Sequence, residues 1–153
     1  MSEKIQVSVV MPVYNEEAYI DQCVQSLLLQ DYPLDDMEWI FVDGNSKDKT
    51  VEILNRYAEQ YPNLIRIYQN PHKIVPYAMN IGIEASKGIY IIRLDAHADY
   101  APDYISKCVY YLQKTDAENV GGVAETKSHG FVGNAIAKML SSKFGVGNSH
   151  FRT

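Results

Sequence analysis

The feature that most constrains the fold is an alternation between short apolar runs rich in β-branched residues and longer amphipathic patterns. The run from Val7 to Val13 is too short for a helix and rich in valine, which is typical of a buried strand. From Ile20 the apolar positions follow the spacing of one helix face, and Pro33 ends this pattern. Alternating strands and helices predict right-handed crossovers and a mostly parallel sheet with helices on both faces.

The alternation continues to the end of the chain. Further strands are predicted at residues 39–42, 64–68, 89–94 and 120–124, and further helices at 51–61, 76–85, 102–112 and 132–140. The expected fold class is therefore α/β, with a Rossmann-like, mostly parallel twisted sheet in one domain over residues 1–153.

Composition narrows the function classes. Fourteen lysine and arginine residues stand against 19 aspartate and glutamate residues, and a net charge of -5 argues against nucleic acid and anionic lipid as partners. Cys23 and Cys108 lack the spacing of a zinc or redox site, which favours reduced core thiols and a cytoplasmic location. We expect neither a membrane span nor an export signal, because no apolar run approaches roughly 20 residues.

In open parallel sheets, ligands bind beyond the carboxyl ends of the strands. The segment after the first strand lacks the glycines of a dinucleotide fingerprint or a phosphate-binding loop, which argues against both of those classes. Tyr14 and Glu16 are candidates for contact with a base and a ribose, and Glu16 and Glu17 are equally suited to a first helical turn.

Polar residues also follow the second and third strands. Asp43 ends a strongly apolar strand and needs a partner, such as the imide or the ribose hydroxyls of a nucleoside. Asn45 and Ser46 follow in a glycine turn, where a helix cap is the alternative interpretation. Lys73 is placed to meet a phosphate, with a solvated loop charge as the alternative.

The fourth strand leads into Asp95, His97 and Asp99, which occupy alternate positions. If the strand conformation persists, all three side chains project to one side. Two carboxylates and one imidazole suit a divalent cation, Mn²⁺ somewhat better than Mg²⁺.

Four ordered motifs resemble a known family. They are Val9-Val10-Met11-Pro12-Val13-Tyr14-Asn15-Glu16, Asp43-Gly44-Asn45-Ser46, Ala78-Met79-Asn80-x-Gly82 and Leu94-Asp95-Ala96-His97. The set resembles the family 2 nucleotide-sugar glycosyltransferases, which have the GT-A fold. The Asp-Ala-His-Ala variant and the terminal Gly145-Val146-Gly147 to Phe151-Arg152 stretch look most like the succinoglycan-type exopolysaccharide subgroup.

The resemblance implies roles for individual residues. Pro12, Tyr14 and Glu16 would contact the base and ribose, Asp43 would hold the base, and Asn80 would support the donor pocket. Asp95-Ala96-His97 stands where the family usually has Asp-x-Asp, so His97 would bind the metal directly and Asp95 would contact ribose or metal. Asp99 would either join the metal or cap the following helix.

The resemblance also implies a reaction. A sugar would pass with inversion from a nucleotide-diphosphate sugar, with UDP favoured, to a saccharide or lipid-linked acceptor in polysaccharide biosynthesis. The catalytic carboxylate of the family is expected beyond Thr153, so the chain is interpreted as a truncated, donor-binding portion, cytoplasmic or at the inner membrane face in a longer form. The alternatives are a non-catalytic nucleotide-sugar-binding module and a sugar nucleotidyltransferase.

Overall fold

The structure, a computed structural model, describes residues 5–122. Within this range four strands form one parallel sheet in the order β3-β2-β1-β4. The strands are β1 (Val7–Val13), β2 (Met37–Asp43), β3 (Ile65–Gln69) and β4 (Tyr90–Arg93), and a 3-10 turn covers Leu34–Asp36. The helices are α1 (Ile20–Leu28), α2 (Thr50–Gln60), α3 (Val75–Ala85) and α4 (Tyr104–Lys114).

The two central strands are buried because helices cover both faces of the sheet. Val10 pairs in register with Ile40, and both pack in one cluster with Ala78 of α3. On the opposite face, the Met11 sulfur lies 3.8 Å from the Cys23 sulfur of α1. The predicted α/β class, with a parallel sheet between two helical layers, is confirmed.

Cys23 is an inert core thiol, as the sequence predicts. Its side chain is buried, and burial together with the nearby carboxylates of Glu16 and Asp99 raises the pKa of the thiol to about 12. The thiolate, which is the reactive form, is therefore scarce at neutral pH.

Helix α3 approaches β1 so closely that one position of the helix requires glycine. A Cβ atom added to Gly82 would lie 2.2 Å from Cγ1 of Val10, far inside the ordinary van der Waals range. Since Val10 is fully buried in the central strand, this contact fixes how near the helix can come to the sheet.

A buried ionic network holds the amino ends of the strands together. Glu38 of β2 is 3% exposed, accepts hydrogen bonds from the Ser8 hydroxyl at 2.6 Å and the Lys87 amide at 2.6 Å, and pairs with the Arg66 guanidinium. Arg66 also donates to the Ala85 carbonyl at 2.7 Å, which ties the end of α3 to the sheet. This network lies at the edge of the sheet opposite to the carboxyl ends of the strands.

The chain divides into two compact units, residues 1–106 and 107–153, of which the structure describes 5–106 and 107–122. The first contains the sheet and α1 to α3. The single-domain assignment stays a prediction. No helix within residues 5–122 combines the length and the apolar character that crossing a bilayer requires.

The strand predicted at 120–124 is not seen in its described part, because residues 120–122 belong to no strand. The short Val-Gly-Gly run has a weak β signal, and two successive glycines disfavour regular pairing. Residues 123–124, the helix predicted at 132–140 and the glycine-rich stretch at 145–147 lie outside the described residues.

Candidate functional site

A pocket of about 280 Å³ opens at the carboxyl ends of the strands, where a parallel sheet is expected to bind its ligand. Six of the predicted site residues line it: Pro12, Tyr14, Glu16, Lys73, Asp95 and His97. The apolar part of the wall comes largely from Val13, Val42, Val75 and Ala78. One pocket therefore brings together candidates that lie as much as 85 positions apart in the sequence.

Four predicted nucleotide-binding residues and one predicted metal ligand do not line this pocket: Asp43, Asn45, Ser46, Asn80 and Asp99. Asp43 is 1% exposed, and its carboxylate accepts hydrogen bonds from the backbone amides of Asn45 at 3.0 Å and Ser46 at 3.2 Å. The hydrogen-bond partner expected for the buried Asp43 carboxylate is thus the backbone of the turn that follows it. Asn80 lies exposed on α3.

The loops after β1 and β2, residues 14–19 and 44–49, are tied together by reciprocal hydrogen bonds. The contacts are Asn15 N to Ser46 Oγ (2.9 Å), Lys47 N to Asn15 Oδ1 (2.8 Å), Glu16 N to Thr50 Oγ1 (2.8 Å), Glu17 N to Asp48 Oδ2 (3.1 Å) and Lys49 N to Glu17 Oε2 (2.9 Å). We call this set the loop lacing. It occupies Ser46 and Glu17 with structural contacts and holds the backbone amide of Glu16, which lines the pocket.

Asp48 is central to the loop lacing. Desolvation raises the pKa of its carboxyl, but the hydrogen bonds from the Thr50 hydroxyl and the backbone amides of Thr50 and Glu17 outweigh this and lower the pKa below its ordinary value of 3.8. The charged form of Asp48 is therefore the one that stabilises the two loops.

Within residues 5–122, three non-glycine residues adopt positive φ angles, and each lies in a different loop at the carboxyl end of the sheet. Asn15 has φ 53°, Asn45 φ 68° and Lys73 φ 64°. Asn70 closes the turn that contains Lys73: it is 1% exposed, donates to the Ile74 carbonyl at 2.9 Å and accepts from the His72 amide at 3.1 Å. Backbone held in this region clusters at binding sites in many proteins.

The strand conformation does not persist beyond Arg93, so the condition for a shared side of Asp95, His97 and Asp99 is not met. Ala96 and His97 form a turn. Asp95 and His97 still line the pocket, whereas the Asp99 carboxylate accepts a hydrogen bond from the Gln22 side chain at 3.1 Å. Among residues 5–122, no three histidine, cysteine or acidic side chains lie close enough to hold a metal by themselves.

Tyr100 anchors the backbone of Asp95. Its hydroxyl accepts a hydrogen bond from the Asp95 amide at 2.7 Å and lies 3.3 Å from the Asp95 carbonyl, to which it donates. Burial, and to a smaller extent the Asp95 charge, raises the pKa of Tyr100 to about 12 against the opposing effect of the backbone hydrogen bond. The hydroxyl therefore keeps its proton at neutral pH. The Asp95 carboxylate pairs with Arg93 at 3.2 Å.

A side-chain contact joins the loop after β1 to the loop after β4. His97 Nδ1 lies 3.3 Å from Glu16 Oε1. Because a carboxylate can only accept hydrogen bonds, Nδ1 is the donor, and Nε2 is left without a role in this contact.

Sequence reasoning assigned no role to Arg93, Asn70 or Tyr100. Arg93 lines the pocket as the last residue of β4, so its place at the carboxyl end of a parallel strand was a usable signal. Asn70 and Tyr100 act through hydrogen bonds to backbone groups two to five positions away in irregular segments, where helix and strand periodicity contains no signal.

A family model described as Glycosyl transferase family 2 matches residues 8–149. Among curated proteins, the chain is 31% identical over 151 residues to dolichyl N-acetyl-alpha-D-glucosaminyl phosphate 3-beta-D-2,3-diacetamido-2,3-dideoxy-beta-D-glucuronosyltransferase of Methanococcus voltae, covering 95% of this chain and 47% of that protein. It is 33% identical over 147 residues to succinoglycan biosynthesis protein ExoA of Rhizobium meliloti (strain 1021), covering 95% and 44%. The chain thus spans less than half the length of these relatives.

Solved structures agree with the fold. A mannosyltransferase from Pyrobaculum calidifontis in complex with GDP-Man and Mn²⁺ matches with a TM-score of 0.68 and 28% identity, over 80% of this chain and 36% of that one. S. aureus TarS 1-349 in complex with UDP-GlcNAc matches with a TM-score of 0.61 over 80% of this chain and 38% of that one, and at 21% identity it supports the fold alone.

Proposed function

The chain belongs to glycosyltransferase family 2, and from that premise we propose that it forms the donor-binding part of a metal-dependent, inverting glycosyltransferase. The main support for the proposal is that one pocket at the carboxyl ends of the strands is lined by Tyr14, Lys73, Asp95 and His97. The donor is a nucleotide-diphosphate sugar, with UDP favoured. The acceptor is a saccharide or lipid-linked saccharide in polysaccharide biosynthesis, and the site of action is cytoplasmic.

The charged side chains of the pocket balance one another, so they leave little positive charge to neutralise a diphosphate. Glu16 and Asp95 contribute two carboxylates, whereas Lys73 and Arg93 contribute two cations, one of which is already paired with Asp95. A diphosphate that enters this pocket brings further negative charge, so a divalent cation next to Asp95 lowers the repulsion.

The residues present fit such a cation as a partial ligand set. Asp95 and His97 supply one carboxylate and one imidazole, and Mg²⁺ or Mn²⁺ sites in nucleotide enzymes commonly complete their coordination with substrate phosphates and water. When bound, the cation would act as a Lewis acid that stabilises the departing diphosphate.

The chain's own residues have separable tasks in this scheme. Tyr14, 48% exposed on the pocket wall, offers an aromatic face and a hydroxyl to the nucleoside. Lys73, in the loop after β3, offers an ammonium group to a phosphate oxygen. Tyr100 keeps Asp95 in place through the backbone. No residue of the described range is assigned as the base that deprotonates the acceptor.

Isothermal titration of UDP and GDP, with and without Mn²⁺, tests the proposal. Mn²⁺ is expected to tighten nucleotide binding to the wild type by at least about tenfold, and His97→Ala is expected to remove most of that gain. His72→Ala is the matched control, because His72 is also an exposed histidine in a loop at this end of the sheet but does not line the pocket.

Two results would contradict the proposal. Nucleotide binding of equal strength without metal and in His97→Ala would refute the metal assignment. Tight binding together with no release of UDP or GDP from any nucleotide sugar, tested with the chain and with a longer form if one exists, would favour a binding module over an enzyme.

A further inference from the structure

The contact between Glu16 and His97 points to a role for Glu16 that differs from the expected contact with the ribose. We infer that Glu16 is a positioning residue, which holds the His97 ring by its Nδ1–H and thereby presents the Nε2 lone pair to a divalent cation in the pocket. The inference rests on the proposed function for the identity of the cation, but the arrangement of the ring can be tested without it.

Glu16 is itself well fixed. Its amide donates to the Thr50 hydroxyl at 2.8 Å, and its carbonyl accepts the amides of Tyr19 and Ile20 at 2.9 Å at the start of α1. The Glu16 side chain is only 18% exposed. The backbone of Glu16 is therefore held through both its amide and its carbonyl, and the hydrogen bond of the amide is part of the loop lacing.

His97, in contrast, has little else to fix its ring among the residues that the structure describes. The side chain is 62% exposed and lies in a turn, and Glu16 is the side chain with which the structure pairs it. A solvated imidazole rotates and exchanges tautomers, so an exposed histidine makes a poor preformed ligand. A carboxylate on Nδ1 solves both problems, since it orients the ring and selects the Nδ1–H tautomer.

The geometry also explains why a pocket that binds a diphosphate would keep an acidic residue on its wall. A carboxylate that directly faced the phosphates would repel them, whereas a carboxylate that is hydrogen-bonded to His97 acts on the ligand through the ring. Glu17, the next residue, cannot share this task because its carboxylate accepts the Lys49 amide instead.

The test measures the tautomer of His97 by ¹⁵N-resolved NMR in the protein without metal or nucleotide, together with Mn²⁺ affinity by electron paramagnetic resonance with Mn²⁺ alone. At a pH where the ring is neutral, the wild type is expected to show the Nδ1–H form. Glu16→Ala is expected to shift His97 toward the Nε2–H form and to weaken Mn²⁺ binding by about 10- to 100-fold. Glu16→Gln retains an acceptor oxygen, so it should preserve the tautomer and lose less affinity.

Glu17→Gln is the matched control, because it removes the same charge one residue along the same loop and should leave both readouts unchanged. An Nε2–H form in the wild type, or an unchanged tautomer in Glu16→Ala, would overturn the positioning role while leaving the proposed function standing. The Nδ1–H form in a wild type that does not bind Mn²⁺, even with nucleotide present, would instead refute the metal assignment. The backbone bonds of Glu16 do not depend on its side chain, so both variants are expected to fold.

Discussion

Replacement of Gly82 by alanine should destabilise the protein, although alanine is the better helix former. The added Cβ would lie 2.2 Å from Val10 Cγ1, about 1.2 Å short of the 3.4 Å at which ordinary contact begins. Val10 is fully buried in the central strand, and a β-branched side chain has few rotamers by which to withdraw. Overpacking of this severity costs about 3 kcal/mol.

The helix propensity of alanine returns about 1 kcal/mol, so the expected net loss is about 2 kcal/mol in the free energy of unfolding. Urea denaturation of Gly82→Ala measures it directly. Gly121→Ala is the control, because no atom of the described residues, apart from the adjoining ones, lies within 4 Å of the Cβ that it would add, and a change within about 0.5 kcal/mol is expected.

A double-mutant cycle tests whether the loss of stability in Gly82→Ala comes from the contact with Val10. Val10→Ala alone should cost about 2 kcal/mol through lost burial and a cavity. In the double variant the methyl group added by Gly82→Ala fills part of that cavity, so the combined loss should be smaller than the sum by about 1–3 kcal/mol. Additive losses, or a Gly82→Ala variant as stable as the wild type, would refute the argument that this contact sets the distance between α3 and the sheet.

The remaining predictions concern the charged contacts at the two ends of the sheet. Glu38→Gln should lower the free energy of unfolding by about 3 kcal/mol, because it leaves the mostly buried Arg66 without its carboxylate. Arg93→Gln breaks an exposed pair and should cost less than about 1 kcal/mol in the same urea assay. Equal losses in the two variants would contradict the role of burial. The lowered pKa of Asp48 means that its stabilising effect is fully present above its ordinary value of 3.8 and is lost as the pH falls through the folded-state value. The difference in unfolding free energy between wild type and Asp48→Asn should therefore shrink on acidification below about pH 4, and a difference that stays constant from neutral to acidic pH would count against the loop lacing as described.

The strands were predictable because their signal is local. The valine-rich run at residues 7–13 coincides with β1, and the predicted second strand differs from β2 mainly by its start. The predicted strand omits Glu38, a buried carboxylate of a residue type that is rarely buried without a charged partner. Its partner Arg66 lies 28 positions away, so the reason for its burial is a tertiary contact.

The site was predictable in place but not in the tasks of its residues. The rule that ligands bind at the carboxyl ends of parallel strands selected Tyr14, Lys73 and Asp95, and these three residues line one pocket. The same rule selected Ser46, whose hydroxyl accepts the amide of Asn15, because polar residues in these loops also serve to hold the loops together. Local sequence cannot distinguish the two uses, since the deciding contacts join residues 31 to 81 positions apart.

The positive φ of Lys73 has a consequence for attempts to stabilise this protein. Glycine adopts that conformation without strain, so Lys73→Gly should raise the melting temperature slightly, by the equivalent of about 0.5–1 kcal/mol. The same substitution removes the one pocket cation that is not paired with Asp95 among the described residues. Selection for thermostability and selection for nucleotide affinity would therefore favour different residues at position 73, and a gain in stability at this position should accompany a loss of nucleotide affinity.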